Sequence, residues 1–490
     1  MGERKSSAES PNIQVIDKSN ILLVTANVGT LFEDPLGLLH PWLEEFMLKI
    51  KELRPHFVAL HMQEVGGKTY EKASNSVKEF VKLLCEDAAM RDFSAVQIYM
   101  DENFNSLENF TALGSLYFAH KNLSSIRIWN FSNGTWEQPA GKNIYFGNIE
   151  NISTKEKSKF PLKLFPECKW SRKGFMRTRW DINGTVVEFV NIHLFHDASN
   201  LKAREEYPSV YSQRRRQALI HTLERFLTDK VNEPVPYFVF GDFNFRCDTE
   251  GVTKELTKNL TEHRVSTSNV NSAKICYRDE DGENVLIIGK KEFNHVKHQN
   301  KFKEEWLKKY DRDWDIFRGI LCEYDIPFPP SYPYKEEPHL PTEYMITRCP
   351  SWCDRILMSP QIPETILASK EHNPYNVIGD NVCMGDHKPV YLNVQLKTNQ
   401  GIVKPQAKVS DCLHHISKMI LSNDSDNSGE GCKMEPKSQF IRLNQKFVSG
   451  NRESLYSGMI KNDASDCIKT KCWIKSNVTN VYIILKETQF

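Results

Sequence analysis

The chain has 490 residues, with 64 Lys+Arg against 63 Asp+Glu and a formal net charge of +1. Hydrophobic residues at 40% and charged residues at 26% exclude wholesale disorder. They fit a globular chain of roughly two to four domains, or one large core with appendages. The near-zero charge argues against a surface built to hold long nucleic acid by counterion release, and leaves room for a local basic pocket for a small anion.

Residues 1–20 are polar, lack the apolar stretch of a secretory signal, and are expected to be a disordered tail. Next, ILLVTANVG (21–29) is an apolar run closing on polar residues and Gly, a buried strand that ends in a loop. Residues 41–50 follow a helical pattern, with Pro41 suited to a first turn. FVALHMQEVGG (57–67) repeats the strand-then-polar pattern, and ALGSLYFAH (112–120) is a further strand. RTRWDI and TVVEFVNIHLF flank Asn183-Gly184, a hairpin signal. RRRQALIHTLERFLTDK (214–230) is helical. The strands PYFVFGDFNF, WCDRILMS and KPVYLNVQL complete the set, and no run of about 18 apolar residues predicts a membrane span. From about 400 the composition changes. SNDSDNSGEG (422–431) is a low-complexity acidic and Ser/Gly stretch, and 399–490 is expected to be a disordered extension. It ends Lys486-Glu-Thr-Gln-Phe490, with no Cys four from the end, so no prenylation box is expected. Twelve scattered cysteines do not read as a secreted disulfide framework, and the expected location is cytoplasmic.

Apolar strands that repeatedly end in acid, amide or His residues are how an α/β core delivers reactive groups to one rim of its sheets. Hairpin-like pairs, and the lack of G-x-G-x-x-G or a phosphate-binding P-loop, favour a mixed sandwich over a dinucleotide-binding fold. The strand-end inventory is Asn27, Glu64, His193, Asp242 with Asn244, Asp354, and Asp386 with His387. Carboxylates and an amide are hard oxygen ligands that suit Mg²⁺ and hold Zn²⁺ poorly. Such a set can neutralise a phosphate oxygen through the metal, deprotonate a water with a carboxylate, and donate to the phosphoryl group from His. Arg172, Lys173, Arg177 and Arg179 fall within eight residues, and on a strand 173, 177 and 179 share one face, a candidate cradle for several phosphates.

TANVG, QE, NIHLFH, GDFNFR, PSWCDRIL and GDHKPV, in that order, resemble the inositol polyphosphate 5-phosphatases of the endonuclease/exonuclease/phosphatase superfamily. FPECKWSRKGFMRTRW and FPPSYPY are similar to the type I members. The resemblance covers roughly residues 20–396, and a catalytic domain is expected over 21–398. It implies an α/β fold, a DNase I-like four-layer sandwich of two mixed sheets flanked by helices. It implies Glu64 as the principal Mg²⁺ ligand with Asn27 beside it, Asp242 activating water, and Asn244 positioning the water or the transition state. His387 would contact the scissile phosphate with Asp354 orienting it, His193 would reach the phosphate from the other side, and Asp386 would complete the polar rim. Lys173 matches a family Lys-Gly pair, with Arg172, Arg177 and Arg179 as flanking substrate contacts. Arg348 and Tyr332 are expected on the phosphate next to the scissile one. Lipid-acting relatives tend to have Tyr-Lys-Tyr where this chain has Tyr332-Pro333-Tyr334, so the resemblance implies soluble inositol polyphosphates, inositol 1,4,5-trisphosphate and inositol 1,3,4,5-tetrakisphosphate, as partners and no nucleic acid. A lipid phosphoinositide 5-phosphatase and a Mg²⁺-dependent nuclease of the same superfamily stay open as alternatives, as does peripheral association with the plasma membrane.

Overall fold

The computed structural model describes residues 18–67, 70–166, 168, 171–265, 273–367 and 374–404, and beyond these only three strands near the C-terminus. The chain divides into two units, Met1–Asn427 and Ser428–Phe490. Strands are numbered in chain order. In the first unit one sheet runs β17 (Ile366–Leu367), β19 (Val390–Lys397), β1 (Lys18–Asn27), β2 (Phe57–Gln63), β4 (Gly114–His120), β3 (Phe93–Asp101) and β7 (Gly141–Gly147), with β18 (Tyr375–Val377) also on β19. The other runs β16 (Asp354–Met358), β11 (Tyr237–Asp242), β10 (Thr185–His193), β9 (Gly174–Ile182), β5 (Ile126–Asn130) and β6 (Thr135–Glu137), with β8 (Glu156–Lys159) on β9. Both mix parallel and antiparallel pairs: β1 lies parallel to β2 and antiparallel to β19, and β10 parallel to β11 and antiparallel to β9.

The central strands are buried along nearly their whole length because each face meets a different core. Ile21, Leu23, Phe57 and Ala59 point between the sheets, against Trp180, Phe189, Phe238 and Phe240. Their neighbours Leu22, Val24, Val58 and Leu60 point outward, against Trp42, Phe46 and Ile50 of helix α1 (His40–Leu53) and the helix α2 (Tyr70–Glu86) residues Val77, Phe80 and Leu84. On the far side Val190, Ile192, Val239 and Leu357 pack under Ala218, Leu219, Leu223 and Phe226. These last belong to α4 (Val210–Leu227), which follows the single turn α3 (Asn200–Ala203). The order is helix, sheet, sheet, helix: a DNase I-like four-layer sandwich. Each large apolar side chain so buried contributes roughly 1.5–3 kcal/mol.

Asn183 and Gly184 do join β9 to β10 in a two-residue turn, pairing Ile182 with Thr185, and both have positive φ, +48° and +78°. That is the combination the right-handed strand twist favours. Between the sheets, just below their rim, Gln63 Nε2 donates to Asn191 Oδ1 at 2.8 Å, and Asn191 Nδ2 donates to the Gly114 carbonyl at 2.8 Å. Two buried amides thereby tie one sheet to the other where the functional loops begin.

After α5 (Thr249–Leu256), a four-stranded antiparallel sheet of β12 (Thr261–Val265), β13 (Lys274–Arg278), β14 (Asn284–Gly289) and β15 (Glu292–Asn294) extends the first unit. In the second unit β20 (Ser454–Ile460), β21 (Ile468–Asn477) and β22 (Asn480–Lys486) pair antiparallel in sequence order. Of the disordered tail expected over 1–20, residues 1–17 lie outside the described residues and Lys18 to Asn20 open β1. Of the disordered extension expected over 399–490, residues 399–404 and the strands β20 to β22 are described, and the remainder lies outside the described residues. Among the described residues no helix is long and apolar enough to cross a membrane.

Candidate active site

Strand register gathers the strand-end groups at one rim. Asn27 pairs with Gln63, so Glu64 follows directly at the end of β2. Across the sandwich His193 pairs with both Gly174 and Asp242, and Asp242 pairs with Asp354. Lys173, one residue before β9, is thus placed beside His193. The close approach of β10 and β11 depends on Gly241, where a Cβ would lie 1.8 Å from the Ile192 carbonyl oxygen. Glu64 sits at a left-handed φ of +56°, a strained position that surrounding contacts must hold, and Asn244 adopts the same region at +50°, which Asn tolerates.

Asp242 is the hub. Its Oδ2 accepts from Asn27 Nδ2 at 3.0 Å and Asn244 Nδ2 at 3.1 Å, and lies 3.2 Å from His193 Nε2, while Oδ1 accepts from the Asn244 amide at 2.8 Å. Burial works against its charge, but the His193 hydrogen bond and the His387 charge outweigh that and hold the carboxyl well below the usual range. On one side Lys173 Nζ lies 3.3 Å from Glu64 Oε1 and against the His193 ring. Burial opposes ionisation of Glu64 too, and the neighbouring Lys173, His193 and Arg172 groups override it, bringing the carboxyl down to about 2. Burial, then the Lys173 charge, lower His193. On the other side His387 Nδ1 donates to Asp354 Oδ2 at 2.8 Å, and Ser331 Oγ donates to the same oxygen at 2.7 Å. Burial would depress His387, but the Asp354 and Asp386 carboxylates raise it to about 10. Burial also lifts Asp386 to about 6, and its backbone carbonyl accepts from the Tyr334 amide at 2.9 Å.

The donor set fits a hard cation. Glu64 Oε2 and Asn27 Oδ1 converge over Gly29, where a Cβ would lie 3.0 Å from the first and 3.3 Å from the second. Two hard oxygens, one on a carboxylate kept ionised, facing a space a Cβ would fill suit Mg²⁺. Asp242, Asp354 and His387 also offer ligand atoms within 4.8 Å of one another. There, however, His387 Nδ1 is committed to Asp354, and a cation would face an imidazolium. Glu64 with Asn27 is the better hard-cation pair.

Tyr332 places its ring 4.4 Å from the His387 ring, and Arg348 donates to the Asp197 carbonyl at 3.1 Å beside Tyr332. Arg172 reaches the Gly67 carbonyl at 2.9 Å and Glu64 Oε2 at 3.8 Å. Two expected substrate contacts are not brought here. Arg177, 1% exposed, pairs with Glu156, Glu188 and Asp229, and Arg179 pairs with Glu188 at 2.8 Å. Both point away from the inter-sheet core beneath the α4 layer, Arg177 lying over Phe226 and Phe131. These cations neutralise buried carboxylates and are removed from the substrate-binding set.

The Endonuclease/Exonuclease/phosphatase family 2 model matches residues 141–393. Inositol polyphosphate-5-phosphatase A of Homo sapiens is 47% identical over 401 residues, covering 80% of this chain and 96% of that protein. The chain belongs to the inositol polyphosphate 5-phosphatase family. The probable type I inositol 1,4,5-trisphosphate 5-phosphatase of Caenorhabditis elegans is 35% identical over 414 residues, covering 76% of this chain and 99% of that protein. Among solved structures, the 5-phosphatase domain of SPSynaptojanin with inositol (1,4)-bisphosphate and calcium aligns over 84% of this chain and 93% of that chain, at 14% identity and a TM-score of 0.44. Membership makes this chain a phosphoric monoester hydrolase.

Two residues at this family site escape a reading by strand ends. Ser331 holds the Asp354 carboxylate from a loop. Arg246, buried, lies 4.5 Å over the Tyr332 ring and donates to Asn244 Oδ1. Its position two residues past Asn244 in GDFNFR is the available signal, and nothing in the spacing tells whether that side chain turns into the site or away from it.

Proposed function

We propose that this chain is a Mg²⁺-dependent phosphatase that removes the 5-phosphate from soluble inositol 1,4,5-trisphosphate and inositol 1,3,4,5-tetrakisphosphate, ending inositol trisphosphate-driven Ca²⁺ release. The observation that carries the reading is the convergence of Glu64, Asn27, His193, Asp242 and the Asp354–His387 pair on one rim. Glu64 and Asn27 would hold the metal, whose charge would neutralise a phosphoryl oxygen.

Asp242 orients the attacking water. Kept ionised, it is an acceptor that aims the water. Because its basicity is low, the proton passes to it only late, once bonding to phosphorus has made the attacking oxygen acidic, as a loose phosphoryl-transfer transition state allows. Asn244 fixes that carboxylate through the two hydrogen bonds it donates. His387 is an imidazolium at neutral pH, turned by Asp354 so that Nε2 is left to donate to a phosphoryl oxygen. Lys173 and Arg172 supply positive charge on the opposite side. Water attacks in line as the bond from phosphorus to the inositol 5-oxygen breaks, and that oxygen takes up a proton from solvent as it leaves, so no covalent enzyme intermediate is needed. Arg348 and Tyr332 are the contacts assigned to the neighbouring phosphate, and Tyr332-Pro333-Tyr334, without the Lys of lipid-acting relatives, favours the soluble substrates.

The test is phosphate release from soluble inositol 1,4,5-trisphosphate with Mg²⁺ and with EDTA, beside short-chain phosphatidylinositol 4,5-bisphosphate and supercoiled plasmid. Metal-dependent release confined to the soluble substrate is expected. Equal release from the lipid overturns the substrate assignment, and nicking without phosphate release overturns the phosphatase reading.

A further inference from the structure

The triplet Arg214-Arg215-Arg216 and the Arg of GDFNFR carry no role in the chemistry above, yet they lead into it. Arg215 is fully buried on α4 and donates to Asp313 Oδ2 from Nε at 3.0 Å and Nη2 at 2.7 Å, and to Asp197 Oδ1. Asp313 Oδ2 also accepts the Arg246 backbone amide at 3.0 Å. Arg246 then donates through Nη2 to Asn244 Oδ1, and Asn244 Nδ2 donates to Asp242 Oδ2 at 3.1 Å. A buried chain of polar contacts thus runs from α4 to the carboxylate that orients the water.

Asn244 is the weak link in that chain. Its backbone is left-handed, at φ +50°, and its side-chain amide has two orientations related by a flip. Only one presents Nδ2 to Asp242 Oδ2 and the Leu194 carbonyl; the other would set its carbonyl oxygen against a carboxylate. A guanidinium on Oδ1 selects the first, because it can donate and cannot accept. The Tyr332 ring 4.5 Å beneath the guanidinium holds its plane.

We propose that Arg246 is a positioning residue: it fixes the Asn244 amide so that Nδ2 holds the Asp242 carboxylate toward the attacking water. The proposal rests on the phosphatase reading. Arg246 therefore acts through Asn244, with Asp313 and Arg215 setting where its backbone starts. Its Nε and Nη1 have no hydrogen-bond partner among the described residues, so a direct contact to a substrate phosphate is the rival role, and the two predict different kinetics.

The test is a double-mutant cycle of Arg246→Ala and Asn244→Ala in the full chain, read as kcat and KM for inositol 1,4,5-trisphosphate. Wild-type turnover on that substrate checks the phosphatase reading separately, before either variant is compared. Arg246→Ala is expected to lower kcat by roughly 100-fold with KM within about threefold, and to cost less than about threefold once Asn244 is already Ala. A raised KM with kcat preserved, or an equal loss in both backgrounds, overturns the proposal. If Arg246→Ala fails to fold, Arg246→Lys enters the same cycle under the same criteria. A second readout needs no turnover. In protein labelled with ¹⁵N-asparagine, the Asn244 side-chain amide signals, assigned by their loss in Asn244→Ala, shift in the Arg246 variant without substrate. Unmoved signals also overturn the proposal.

Discussion

His193 and His387 occupy two sides of one rim, are about equally buried, and are driven in opposite directions. His193 faces Lys173, so burial and a neighbouring cation both disfavour its charge. His387 faces Asp354 and Asp386, which overcome burial and raise it to about 10. His193 also lies 3.2 Å from Asp242, but burial and Lys173 outweigh that carboxylate, whereas at His387 the carboxylates outweigh burial. One side offers a neutral ring and an ammonium beside the carboxylate suited to a metal; the other offers a fixed imidazolium. A reaction that gathers negative charge on a phosphoryl group is served by both.

The largest effect is expected where the two sides meet. Asp242→Asn should lower turnover by on the order of 10³–10⁴-fold while the thermal unfolding transition survives; phosphate-release kinetics beside calorimetry checks this. Removing the imidazolium with His387→Ala should cost roughly 10²–10³-fold in kcat, measured in the same assay. Lys173→Met and Arg177→Met sharpen the contrast within one basic stretch. Lys173→Met should abolish most activity with little change in stability. Arg177→Met strands the buried Glu188 and Asp229 carboxylates and should cost about 3–5 kcal/mol of stability, with kcat/KM of the folded fraction within about twofold. Denaturant unfolding with kinetics on both variants separates the outcomes. The smallest loss among the site variants is expected of Gly29→Ala, whose Cβ crowds Glu64 Oε2 and Asn27 Oδ1 and should raise the Mg²⁺ concentration for half-maximal activity by on the order of tenfold.

Much of this was legible in the chain. Apolar runs ending in Asn27, Glu64, His193 and Asp242 mark strands whose polar termini share a rim, because parallel neighbours in a sheet end on the same side. Asn183-Gly184 identifies its hairpin, since both residues tolerate the positive φ the turn demands. Arg177 and Arg179 show the limit. Alternation tells which side chains share a face of a strand, and it does not tell what covers that face; here Glu188 and Asp229 await them under α4. Arg246 is hidden for a related reason, because its ring partner, Tyr332, comes 86 positions later and only the fold brings them together. Strand β12 was equally hidden: Thr261–Val265 is exposed throughout, so no apolar alternation marks it, whereas the apolar residues of β13 and β14 do carry a strand signal.

The pH dependence of kcat in wild type and Asp354→Asn tests the central asymmetry most directly. His387, ordinarily near 6.5, is raised to about 10, so its proton, and the stability its pairing contributes, is fully present below 6.5 and lost as pH rises through 10. Wild type should therefore hold a plateau through neutral pH with an alkaline limb near 10. Without the Asp354 carboxylate that limb should fall by more than one pH unit toward the ordinary His value. An alkaline limb that stays in place in Asp354→Asn would contradict the assignment of His387 as the imidazolium that this carboxylate maintains.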